Sequence, residues 1–192
     1  MLRRLLILLF ASALFVSVEA PAQAHPRGDI FDQGSFNSPY TFTDSSCGFD
    51  INVKGRARGH FVYYNVPGSD GQAFLNDSFN RFREVLTNPA TGERLFNAGA
   101  SRFTEVSAKH LYGNVWQFIS VERIFYSVIR DSHGRVVLWE HGTIVRRQVF
   151  DTLGDSQPGG DVIRETIIRK RGHLPSFEPD FDFCALVTPL IG

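Results

Sequence analysis

The chain has 192 residues, with 20 Lys and Arg against 20 Asp and Glu and a formal net charge of zero. A nucleic-acid binder carries a basic excess and a basic stripe, and this chain shows neither, so nucleic acid is set aside as a partner. Six scattered histidines without an i, i+2 or i, i+4 pair give no metal-ligand motif, and no sequence pattern calls for a cofactor.

Arg3 and Arg4 precede an unbroken apolar run from Leu5 to Val18, followed by Ala22-Gln23-Ala24. A basic start, a greasy centre and small residues at a cut site describe a secretory signal peptide over residues 1–24. The run falls short of the ~20 residues that a membrane helix needs. No later stretch is apolar for long enough either, so the mature chain is expected to be secreted, extracellular and without a transmembrane segment. Residues 25–46 are rich in Gly, Pro, Ser and Asn and are expected to form a polar, flexible arm. The "RGD" at Arg27–Asp29 and the "NDS" at Asn76–Ser78 are short enough to arise by chance.

From Cys47 onward apolar residues recur with period two, the mark of a half-buried strand. The strands expected are 49–54, 60–66, 79–87, 93–97 and 102–110, with long runs at 115–130 and 135–150 and an eighth strand at 162–170. The 18 Phe suit pleated, half-buried surfaces. "NPATG" (Asn88–Gly92) is a turn, because Pro89 presets φ and Gly92 can take the left-handed position. Two sixteen-residue runs make a hairpin far longer than the usual five or six residues per strand. Such a ribbon must curl, with Gly142 as the point of bend or bulge. Residues 47–192 therefore form a single all-β domain of about eight antiparallel strands, an up-and-down β-barrel or, alternatively, a β-sandwich.

No G-x-S-x-G, H-E-x-x-H or phosphate-cradling glycine loop is present. Polar residues do interrupt the long hairpin: Glu122, Arg123 and Tyr126 on one strand, Trp139, Glu140 and His141 on the other. These are the candidate ligand-binding residues. Their grouping hangs on the turn, since a slip of one residue exchanges the two faces. If Asp131 opens a type I turn and Gly134 takes the left-handed place, Asp131 faces Arg135. His141 then shares a face with Arg123, Ser127 and Trp139, and Tyr126 lies opposite Glu140 on the other face. If the loop holds four residues, Glu122 shares a face with Tyr126, Trp139 and His141, diagonal to His141. Asp at the first turn position and Gly at the last favour the former.

Two cysteines in an exported chain imply one disulfide, Cys47 to Cys184. "CGFDINV" (Cys47–Val53), "LTNPATGE" (Leu86–Glu93) and "FCALV" (Phe183–Val187), in that order, resemble a family of short secreted actinobacterial proteins that is uncharacterised. The resemblance implies export, an all-β fold and paired terminal cysteines, and it supplies no activity. Three functions follow as expectations. The first is binding of a small apolar or amphipathic ligand inside the barrel. The second is a structural or interaction role at the cell envelope or host interface, with the protein partner undefined. The third is an enzyme of cyclase or isomerase type, for which no catalytic residue can be named.

Overall fold

The computed structural model describes residues 27–192, so the expected signal peptide lies outside the described residues. Seven strands follow in chain order: β1 (Ile30–Asp44), β2 (Ile51–Asn65), β3 (Phe74–Thr87), β4 (Arg94–Tyr112), β5 (Val115–Asp131), β6 (Val136–Asp151) and β7 (Asp161–His173). Each pairs antiparallel with its neighbour in sequence, giving one sheet of order β1-β2-β3-β4-β5-β6-β7. The all-β, up-and-down reading holds. The sheet stays open, however, with β1 and β7 as its two edges. The strand number is seven because 49–54 and 60–66 belong to one continuous β2, 93–97 and 102–110 belong to one β4, and residues 30–44 add a strand that was not expected.

The stretch expected as a polar arm supplies β1. Its apolar residues are sparse, but alternation sends Phe36 and Tyr40 to one face, each directly opposite a glycine of β2: Phe36 pairs with Gly59 and Tyr40 with Gly55. A side chain at Gly55 would sit 2.5 Å from the Tyr40 ring, so the glycine is what lets the aromatic lie flat. Phe82 over Gly99 repeats the device between β3 and β4. Ring-over-glycine pairs pin register and permit strong curvature. Pro39 lacks an N–H, which an edge strand tolerates and a central one does not.

Curvature gives the sheet a concave and an outer face. Tyr63 of β2, Asn76 of β3, Glu105 of β4, Phe118 of β5 and Gln148 of β6 all line one cavity, which a flat sheet would not allow. The C-terminal segment crosses the same concave face. A short 3-10 turn at Pro175–Phe177 is followed by a helix, α1 (Phe183–Ile191). Val187 and Ile191 of α1 pack on Ile51, Val53, Leu86, Leu95 and Ile129. The Asp182 side chain caps the helix by accepting from Ala185 N at 3.0 Å. Its last turn is held by Asn88 Nδ2, which donates to Ile191 O at 2.7 Å. The expected turn at Asn88–Gly92 thus also serves as a clamp for the helix. The Cys47–Cys184 disulfide is formed, with Cα atoms 5.1 Å apart, and it ties α1 to the loop before β2. Among the described residues no helix is long and apolar enough to cross a membrane.

Candidate functional site

The long hairpin β5–β6 closes as the preferred register requires. Gly134 N donates to Asp131 O, Asp131 N to Arg135 O, and Gly134 takes φ +80°. Pairing from Val115↔Asp151 to Ile124↔Gly142 keeps that register. A bulge then intervenes at Phe125 and Tyr126, beside Gly142 where the bend was expected, and pairing resumes at Ser127↔Glu140. The six candidate residues are consequently divided. Glu122 and Glu140 face a concave-side cavity of about 160 Å³, and the bulge brings Ser127, not Tyr126, opposite Glu140. Tyr126 borders this cavity but pairs with Ala100, itself opposite Arg81, and shares a hollow with Phe79, Arg81 and Phe125 on the outer face. By strand alternation Arg123, Trp139 and His141 stand on the outer face, where Trp139 stacks on His141 at 4.5 Å and meets His173 at 5.3 Å. The register with Glu122 diagonal to His141 is not adopted.

The two concave carboxylates are engaged in structural bonds. Glu122 accepts from Arg146 Nη1 at 2.7 Å, and Arg146 also meets Glu165 at 3.2 Å. Glu140 is buried and accepts from the backbone N of Ser176 at 2.8 Å. Ser176 and Phe177 also line the cavity, so the C-terminal segment covers it. Buried Glu140 thus holds the crossing segment while half-buried Glu122 is spent on Arg146, which leaves little unmet valence for a ligand.

A second concavity, of about 210 Å³, has a different character. Tyr63, Phe74, Phe103, Phe118 and Phe150 give it aromatic walls, and Asn76, Glu105 and Gln148 supply its polar groups. These side chains share a face because β3, β4 and β5 are in register through Ser78↔Phe103 and Phe103↔Glu122, so that residues alternate onto the cavity at even steps. Phe118 meets Phe150 edge to face at 5.7 Å, fixing one wall. Gln148 is engaged at both ends: it accepts from Ser120 Oγ at 3.0 Å and donates to Glu165 at 2.7 Å.

Glu105 is the exception. Its carboxylate accepts a hydrogen bond from Asn76 N at 2.7 Å, and among the described residues no cation pairs with it. Although the residue keeps some exposure through the cavity mouth, protein surrounds its carboxyl closely. Burial pushes its pKa up from 4.5 to about 7, against the opposing pull of the Asn76 N–H. Nearby, burial first and then the Glu105 and Asp32 carboxylates raise the Tyr63 hydroxyl, which keeps it protonated. Asn76 Oδ1 is buried without a hydrogen-bond partner. At neutral pH the cup therefore holds an acid poised between its two protonation states and an unused acceptor inside an aromatic wall. Such a group can donate a hydrogen bond or exchange a proton.

Glu105 escaped the sequence reading although a signal was present. In "RFTEV", Phe103 and Glu105 fall on one face, so a carboxylate shares a surface with a ring that must be buried. What the string does not show is that this face is concave. No family model, no curated protein and no solved structure matches the chain.

Proposed function

We propose that the protein binds a small apolar or amphipathic molecule in the Glu105 cup, as an exported protein working in an oxidising compartment. The observation that carries this reading is the uncompensated Glu105 carboxyl within five aromatic walls. Binding sites are typically concave and mostly apolar, with a few convergent polar groups, and a perturbed acid at such a place marks a site. The bound molecule is a hydroxyl- or carbonyl-bearing one: neutral Glu105 donates to its oxygen, and a ligand hydroxyl can satisfy Asn76 Oδ1. The disulfide supports export, since such bonds persist outside the reducing cytosol.

The test is titration with N-phenyl-1-naphthylamine, whose emission rises on entering an apolar site. Saturable binding to the disulfide-bonded chain, weakened about tenfold by Phe103→Ser in a variant that still unfolds cooperatively, is the expected result. Equal binding by Phe103→Ser, or none by the parent chain, would remove the reading.

A further inference from the structure

The outer face carries a second feature that no ligand of the Glu105 cup would touch. β2 contributes Arg56 and Arg58, and β3 contributes Arg81 and Arg83. The register sets Arg56 directly opposite Arg83 and Arg58 directly opposite Arg81. Like charges facing each other across a strand pair destabilise a sheet, so this arrangement needs compensation. Inside the chain it finds little. None of the four guanidinium groups forms an ion pair among the described residues, and Arg56 donates only to the neutral Asn37 Oδ1, at 3.2 Å. The carboxylates that might serve are committed elsewhere. Glu84 lies on the opposite face, bonded to Tyr40 and Asn97. Asp77 takes two hydrogen bonds from Arg102 and an ion pair from Arg27, which hold its carboxyl below the usual range although burial opposes them.

Asn37 and the four arginines line a basin of about 260 Å³ and nothing else does. Along a strand, alternate residues stand about 7 Å apart, and neighbouring strands lie about 4.8 Å apart. Guanidinium forks on such a grid match tetrahedral oxyanions, which they grip with paired N–H donors. A phosphoryl monoester carries a charge of about −1.5 to −2 at neutral pH, so two of them neutralise four arginines. We propose that this basin is a binding site for a small polyanion bearing two or more phosphoryl groups. The counter-charge comes with the ligand, which relieves the repulsion that the empty sheet tolerates.

The experiment uses the full disulfide-bonded chain at low ionic strength, with calorimetric titration of tripolyphosphate and, separately, inorganic phosphate. Tripolyphosphate is expected to bind at least about tenfold more tightly than phosphate. Arg58→Gln with Arg81→Gln should weaken it by about tenfold or more. The same double variant, without ligand, should melt at a higher temperature than the parent, a readout that separates lost binding from lost folding. Arg147→Gln, elsewhere on the outer face, should change neither. Unchanged tripolyphosphate binding by the double variant, or equal affinities for the two anions, would overturn the proposal. So would duplex DNA or phosphatidylglycerol vesicles binding more tightly than tripolyphosphate and responding equally to Arg147→Gln, since that behaviour belongs to a diffuse field. N-phenyl-1-naphthylamine binding should survive in the double variant, which keeps this test independent of the cup on the other face.

Discussion

Glu105 is where folding and function pull in opposite directions. In the unfolded chain its carboxyl loses its proton near pH 4.5, and in the folded chain near pH 7. Below the lower value both states are neutral and the residue has no effect on stability. Between the two the unfolded chain gives up its proton first, so stability falls as pH rises, and above the upper value the full penalty applies. Glu105→Gln keeps an oxygen for the Asn76 N–H and cannot ionise. Its melting temperature should equal that of the parent at pH 4 and exceed it at pH 8, by the equivalent of on the order of 1–3 kcal/mol. A constant difference across that range would show that the carboxyl titrates normally. Legibility at this scale was uneven. Asp131 and Gly134 announced their turn because turn chemistry is local, whereas the raised acid depends on curvature that brings five strands around it.

At the scale of the element, the segments misread are those whose structure is imposed by others. β1 looks like a disordered arm because its own composition cannot bury enough apolar surface, yet its rings fill the space left by glycines of β2. Helix α1 contains Thr188 and Pro189 and has no usable helical pattern in "FCALVTPLI". It forms because Asp182 caps one end, Asn88 holds the other, and Val187 and Ile191 are wholly buried in the core. The disulfide adds the covalent tie. Closing a loop between residues 137 apart contributes roughly 5 kcal/mol in the chain-entropy account. Cys47→Ser should therefore lower stability in oxidising buffer by about 2–5 kcal/mol in chemical denaturation, and reduction of the parent chain should reproduce that loss. An unchanged midpoint would mean that the helix docks without its staple.

For the molecule as a whole, a net charge of zero conceals local clusters of opposite sign. Glu84, Glu105, Glu122 and Glu140 turn to the concave side, while Arg56, Arg58, Arg81 and Arg83 turn outward. The reading that set nucleic acid aside counted charges along the chain. The relevant stripe runs across strands, and it is written in the sequence only as the two fragments "RAR" and "RFR". Alternation places each pair on a face, but only the register of β2 on β3 makes them one cluster. The period-two pattern was sufficient for the architecture, and the sites needed the third dimension.

The nearest-neighbour order of the strands also bears on how the chain assembles. Every pairing joins consecutive segments, so the sheet can grow by adding one hairpin at a time, with short turns and little loop entropy to overcome. The tie between Cys47 and Cys184 is the long-range closure, and it can be made only after the intervening strands have brought the two thiols together. During refolding from the reduced state under a mild oxidant, the far-ultraviolet β signal should reach its native value before the free thiols disappear. Simultaneous loss of both would mean that the covalent bond nucleates the sheet.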